Sequence, residues 1–249
     1  MKWRFIYRGL KARYRDQHLE LLALSQALRP TDIAIDVGAN KGSYLWALSR
    51  AVPRGRVVAF EPQPLLADYL IQACQQAKLN NVTVEPLGVS NKEQRRVLAV
   101  PGGGATSPGA SFEAAVRDRE ACKTIDVNVV TLDRYFEHAN NRIGALKIDV
   151  EGHELAVLQG ARELLTAHRP VVVCESERRH MSTGSVTDVF AFFSELGYEG
   201  FFVGQGELLP AEIFDPALHQ SEIGERFWDS PTYYNNFIFR PGKSGLAVH

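Results

Sequence analysis

Short apolar runs, each closed by turn residues and followed by a stretch of helical periodicity, recur along this chain. Residues 33–37, 57–61 and 82–89 read as strands, with helices predicted over 43–52 and 64–78 and turns at Pro53-Arg54-Gly55 and Asn80-Asn81. An entry helix is predicted from about 16 to 28. The alternation is that of a parallel sheet covered by helices. It breaks near residue 92. Segments 96–100 and 123–130 alternate as strands on either side of Pro101-Gly102-Gly103-Gly104-Ala105-Thr106-Ser107-Pro108-Gly109, which is too rich in glycine and proline to hold a helix. Region 92–131 therefore reads as a β-rich insertion with a mobile tip. Regular alternation resumes with a strand at 145–150, a helix at 154–167, an apolar buried strand at 171–175 and a helix at 185–196. Segments 198–203 and 236–240 are expected to form an antiparallel pair at one sheet edge. The chain thus divides into a basic helical segment (1–30), one α/β domain (31–241) and a tail (242–249).

Composition narrows the function classes. With 249 residues, 45% hydrophobic and 23% charged, the chain suits a single globular α/β unit that needs no staples. A net charge of −1 argues against a polyanion binder as a whole. Cys74, Cys122 and Cys174 form no Cys-x-x-Cys pair and are odd in number, which fits a reducing, cytoplasmic setting and neither a disulfide framework nor a structural zinc. No apolar run approaches the roughly 18 residues of a membrane span, and the N-terminus lacks a secretory pattern. That terminus is locally basic: Lys2, Arg4, Arg8, Lys11, Arg13 and Arg15 alternate with Trp3, Ile6, Tyr7, Leu10 and Tyr14 at near-helical spacing. Such a helix either packs on its own domain with a solvated basic face or makes a peripheral membrane or polyanion contact through 1–15.

The chemistry concentrates at three strand ends. The run Asp36-Val37-Gly38-Ala39-Asn40-Lys41-Gly42 leads a strand into a glycine turn with a helix behind, a place for an anionic ligand group. A dinucleotide fingerprint wants Gly-x-Gly-x-x-Gly, but Asn40 and Ser43 stand at the second and third glycine positions. Asp36 would repel a pyrophosphate and suits a ligand with an ammonium group, as S-adenosylmethionine has. Glu61, 25 residues on, closes the second strand where a carboxylate reaches a ribose hydroxyl pair. Third, Leu146-Lys147-Ile148-Asp149-Val150-Glu151-Gly152-His153-Glu154 puts acidic groups at a central strand end. Those acids need a neutraliser: Lys147, His153, a metal or the sulfonium. Glu154 reads as an acid in a first helical turn.

With Phe60-Glu61-Pro62, Val130-Thr131-Leu132-Asp133 and Asn235-Asn236-Phe237-Ile238-Phe239, these stretches make the sequence resemble the FkbM family of S-adenosylmethionine-dependent methyltransferases over about 31–241. The Lys-x-Asp-x-Glu-Gly run is the specific mark. The resemblance implies a class I methyltransferase (Rossmann-like) sheet of seven strands with helices on both faces. It also implies O-methylation of hydroxyls on sugars or polyketide-type molecules. Asp36, Gly38, Asn40 and Gly42 would cradle the methionine part, Glu61 with Pro62 the ribose side, and Gly88, Val89 and Ser90 would lie near the adenine.

An alcohol acceptor requires a general base. Asp149 is the first choice, then Glu175 at the next strand end, then His153 and His180. Asp149 and Glu175, with Glu151 and Glu177 nearby, offer hard oxygen ligands, so a divalent cation such as Mg²⁺ is an open alternative. Loop 102–109 is expected to act as a lid, and Arg226-Phe227-Trp228 with Tyr233-Tyr234 either to pack on sugar rings or to belong to the core. Competing readings are a lipid or secondary-metabolite hydroxyl acceptor at a membrane surface and a non-catalytic S-adenosylmethionine-binding module. A nucleic-acid substrate is disfavoured by the neutral charge and the lack of an Asn/Asp-Pro-Pro-Tyr motif. The acceptor's identity and a homodimer are left open.

Overall fold

The computed structural model describes residues 1–118 and 121–242. At its centre is β1 (Ile33–Val37), buried at every position because both faces of a parallel sheet are covered. β2 (Arg56–Phe60) and β3 (Val82–Glu85) follow in parallel. The strand expected over 82–89 stops at Glu85. Pro86 has no N–H to carry the ladder on. The short β4 (Gly88–Val89) then leaves the sheet to pair with another strand. That partner is β6 (Cys122–Val130), which also forms a long antiparallel hairpin with β5 (Gln94–Pro101). The segment expected as a β-rich insertion is this hairpin, and β4, which precedes residue 92, completes its three-stranded sheet.

β7 (Ile143–Ile148) and β8 (Val171–Glu175) extend the main sheet in parallel on the other side of β1. β9 (Tyr198–Gly204), β10 (Glu207–Pro210) and β11 (Asn236–Pro241) finish it, giving the order β10-β9-β11-β8-β7-β1-β2-β3. β11 runs antiparallel between β8 and β9. The sheet thus has eight strands, where seven were expected. The eighth, β10, is only four residues long and turns back on β9 through Gln205-Gly206, both at positive φ. Its brevity hid it from a periodicity argument.

The helices are α1 (Lys2–Lys11), continued by a π-helical turn, then α2 (His18–Ala27), α3 (Leu45–Ala51), α4 (Pro64–Ala77), α5 (Ala114–Arg117) and α6 (Leu132–Tyr135). After them come α7 (Glu154–Gln159), α8 (Arg162–His168), α9 (Val186–Glu195) and α10 (Pro216–His219). The helix expected over 154–167 is split in two at Gly160, which passes so close to Ser90 that a Cβ would meet its carbonyl oxygen at 2.2 Å. α9 starts at a capping box of Ser185 and Asp188.

Two apolar clusters cover the faces of the main sheet, one around Phe60, Leu146, Ile148 and Phe237, the other around Leu21, Leu45, Val57 and Ile238. Phe5 of α1 belongs to the second and is fully buried, so the apolar side of the N-terminal helix packs on its own domain against α3 and α4. The three cysteines are free thiols. Among the described residues no helix is long and apolar enough to cross a membrane. Of the expected tail 242–249, all but Gly242 lies outside the described residues.

Candidate active site

The carboxyl ends of β1, β7 and β8 open onto one cleft. Two cavities, of about 220 Å³ and about 40 Å³, meet there and share Gly38, Asn40 and Asp149 in their walls. The larger is polar, lined by Arg8, Lys41, Tyr44, Lys147, Glu175 and Asn236 among others. The smaller is more apolar and holds Glu61 among Phe60, Leu87, Val89, Leu98 and Phe112.

The glycine turn is built by close approach. Gly38 has φ +75°, and a Cβ there would sit 1.8 Å from the Asp149 carbonyl oxygen, so only glycine lets the ends of β1 and β7 touch. Asn40 is also left-handed, at φ 48°, a conformation asparagine tolerates better than most residues, which accounts for a non-glycine at this position. Its N–H donates to Glu61 Oε2 at 2.7 Å, and the Gln63 N–H donates to Glu61 Oε1 at 3.0 Å. Burial pushes the Glu61 carboxyl up, and those two N–H groups pull it back. Each Glu61 oxygen keeps a second lone pair for a further donor. Gly42 is in the same turn but faces Phe5 and Leu70, not the cleft.

Asp36 is almost completely buried, and neither of its oxygens receives a hydrogen bond. Burial raises its pKa, and Lys147 opposes that rise. Lys147 Nζ lies 3.3 Å from Asp36 Oδ1 and 3.4 Å from Asp149 Oδ2, and it donates to the Gly38 carbonyl at 2.8 Å. Burial works against the ammonium, yet Asp36 and Asp149 hold its pKa above the usual lysine range. Of the neutralisers offered by the sequence, Lys147 is the one in place. Asp149 keeps 29% of its side chain exposed, opening to both cavities.

The remaining acids have other partners. Glu175 lines the larger cavity and accepts from Asn235 Nδ2 at 2.7 Å. Burial, then the charges of Asp149 and Glu151, hold its carboxyl well above the ordinary range. Glu177 accepts from Arg179, Tyr233 and Asn235, and Glu151 pairs with His180 at 2.6 Å. Glu154 sits in the first turn of α7 and accepts the N–H groups of Val150 and Gly152, and burial pushes its pKa up to about 8. Among the described residues no group of three or more His, Cys, Asp or Glu side chains is placed to hold a metal ion, and the Mg²⁺ alternative has no support in this donor arrangement.

His153 is brought to the region but not to the cavity walls. Its Nδ1 is 2.7 Å from Glu113 Oε1 and its Nε2 is 2.8 Å from Ser90 Oγ and 3.0 Å from Arg96 Nη1. It clamps the hairpin sheet to the strand end behind Asp149. Ser90 is consumed in the same contact and is fully buried, whereas Gly88, Val89 and Pro62 line the smaller cavity.

The glycine-rich loop lies over the smaller cavity. The Gln63 side chain pairs twice with the Ser107 backbone, at 2.9 Å each way, Pro108 lines the cavity, and Ser111 Oγ donates to the Glu151 carbonyl at 2.6 Å. Among the aromatics, Tyr234 is core. Trp228, under the Arg179 guanidinium, and Tyr233, on Glu177, stand behind Asn235 and outside both cavity walls. Arg8, Gln17, Tyr44 and Gln63 stand at the site without a motif that marks them. Arg8 and Gln17 arrive only because α1 and the turn after it dock over the cleft.

The family model described as the methyltransferase FkbM domain matches residues 36–199. The methyltransferase sdnD of Sordaria araneosa is 30% identical over 156 residues, 52% of this chain and 60% of that protein. A crystal structure of the methyltransferase FkbM of Methylobacillus flagellatus superposes with a TM-score of 0.52 at 17% identity, covering 94% of this chain and 53% of that one. A Streptococcus mutans protein described as a methyltransferase, in complex with SAH, gives 0.52 at 14% identity over 91% of this chain and 97% of that one. The chain therefore spans less than two thirds of the Sordaria and Methylobacillus relatives, and at these identities the two structures show the fold alone, that of class I S-adenosylmethionine-dependent methyltransferases. With the family model covering the glycine turn, Glu61, the Lys147–Asp149 strand end and Glu175, the chain belongs to the FkbM methyltransferase domain family.

Proposed function

We propose that this chain is an S-adenosylmethionine-dependent O-methyltransferase whose acceptor is a hydroxyl of a carbohydrate or of a glycosylated or polyketide-like small molecule. The observation that carries this reading is the position of Asp149: a partly exposed carboxylate in the wall shared by an apolar cavity and a polar one, with an ammonium behind it.

The residues fit the cofactor. Asp36, Asp149 and Glu61 make the loop acidic, which suits a cationic ligand and not a pyrophosphate. Gly38 and Asn40 would hold the methionine part, Glu61 would accept from the ribose hydroxyls through its spare lone pairs, and the apolar wall of Leu87, Val89 and Phe112 would take the base. When bound, S-adenosylmethionine supplies a methyl group already activated on a sulfonium. What is left to the chain is alignment, exclusion of water and removal of one proton. Asp149, 3.4 Å from the Lys147 ammonium, would take the acceptor hydroxyl's proton. Glu175, with its raised pKa, would be a neutral acid that donates a hydrogen bond to the acceptor, beside Asn236. A cavity lined by so many donors and acceptors suits a polyhydroxylated ligand better than a bare apolar one.

The test is calorimetric titration with S-adenosylhomocysteine, with NAD as control, followed by turnover on a panel of hydroxylated acceptors with wild type and Asp149→Asn. Micromolar binding of the first ligand only, with turnover lost in Asp149→Asn and cofactor binding kept, supports the reading. Cofactor binding without turnover on any hydroxyl acceptor leaves a binding module. No binding in a folded sample removes the enzyme reading.

A further inference from the structure

Residues 1–15 carry six Lys and Arg side chains and no Asp or Glu, in a chain whose net charge is −1. The first acid, Asp16, pairs with Lys11 at 2.9 Å and Arg15 at 2.8 Å, and Arg8 turns inward to the Lys41 carbonyl and Tyr69 hydroxyl. Among the described residues Lys2, Arg4 and Arg13 have no carboxylate partner. The helix hides Phe5, Gly9 and Ala12 against the domain, so tightly at Gly9 that a Cβ would meet the Trp46 side chain at 2.7 Å. By helical spacing the opposite side carries Trp3, Tyr7 and Tyr14, which are 78%, 67% and 69% exposed. Lys2 stands 5.6 Å from the Trp3 ring and Arg13 5.7 Å from the Tyr14 ring. Next to Trp3 and Arg4 lies an open, largely apolar groove of about 820 Å³, walled by Leu65, Leu66 and Tyr69. Leu65 is 57% exposed.

We propose that this face docks the protein on an anionic lipid bilayer. Exposed Trp and Tyr seat at the headgroup level, unpaired cations are drawn to negative lipids, and an apolar groove beside them accepts hydrocarbon. A second copy of the chain is a poor occupant, because two such faces repel each other. A nucleic acid asks for a groove that tracks phosphates, whereas here the groove is apolar and the aromatics stand on a convex helix. Arg8 and Lys41 line both the groove and the larger cavity, so docking turns the mouth of the cleft toward the headgroups. The inference stands on surface chemistry and does not depend on the methyl-transfer reading.

Flotation with vesicles of phosphatidylcholine alone and of phosphatidylcholine mixed with phosphatidylglycerol tests it at low and raised ionic strength. The protein is expected to float with the anionic vesicles at low salt and to be released as salt rises. Arg4→Glu with Arg13→Glu is expected to weaken this by at least about 25-fold, at roughly fivefold per cation lost. Trp3→Ala with Tyr7→Ala and Tyr14→Ala is expected to abolish it even at low salt. Apart from the half-buried Arg13, both variants change exposed side chains, and an unchanged Tm verifies the fold. Absence of flotation with anionic vesicles overturns the proposal, as does equal flotation of either variant, or stronger binding to single-stranded polyuridylate than to vesicles.

Discussion

The Lys147 ammonium lies 3.3 Å from the Asp36 carboxylate at the floor of the cleft, with 7% and 1% of the two side chains exposed. Removing one partner of a buried pair leaves an uncompensated charge, at a cost of about 3–5 kcal/mol. Lys147→Met is therefore expected to lower the unfolding free energy measured in urea by an amount of that order, and adding Asp36→Asn is expected to recover part of the loss. A double-mutant cycle measures it; additive losses would deny the coupling.

Asp149 and Glu175 end neighbouring strands, but their surroundings push them apart in role. Asp149 faces Lys147, whereas burial and nearby carboxylates hold the Glu175 pKa well above the ordinary carboxylate range. Turnover is expected to fall by about 10²–10⁴ in Asp149→Asn, the range for loss of a general base. Glu175→Gln, which keeps the shape and a donor, is expected to stay within about tenfold of wild type. A larger loss in Glu175→Gln than in Asp149→Asn would reverse the assignment.

The paired bonds between Gln63 and the Ser107 backbone fasten the glycine-rich loop over the smaller cavity. At about 1 kcal/mol for each of the two hydrogen bonds, Gln63→Ala is expected to weaken S-adenosylhomocysteine binding by up to about thirtyfold. Ser107→Ala, which keeps both backbone groups, is expected to change it little. Calorimetry on the two variants makes the comparison.

Glu154 is an acid whose folded pKa, about 8, stands above its usual value of 4.5. Its folded form therefore binds the proton more tightly than the unfolded form does. Its contribution is intact below about pH 4.5 and is lost progressively as pH rises through 8. Glu154→Gln keeps an acceptor for the Val150 and Gly152 N–H groups without that loss. The variant is expected to gain on wild type in Tm between pH 5 and pH 9. A constant difference across that range would contradict the assignment.

Strands were legible wherever burial on both faces leaves an unbroken apolar run, as at Val171–Glu175, where residue pattern and structure agree end to end. Breaks made by tertiary contact were not: Gly160 splits a helix because of the Ser90 carbonyl, which no local pattern reports. At the site, acids at strand ends were visible because a carboxylate there needs a partner, and Lys147 was in the same motif. His153 was visible too, but its partner Arg96 comes from β5 and Glu113 from the connection between β5 and β6, so its role as a clamp depends on how that region docks. Arg8 is 28 residues from Asp36 in sequence and joins the site only through the packing of α1.

The two cavities share Gly38, Asn40 and Asp149. A molecule in either one presses on the same three residues, so the two binding events are linked. Whatever factor the first ligand applies to the affinity of the second, the second must apply to the first. In the proposed reaction the spent cofactor and the methylated acceptor would each bind with an affinity set partly by the other, and titrating one in the absence and presence of the other measures that factor.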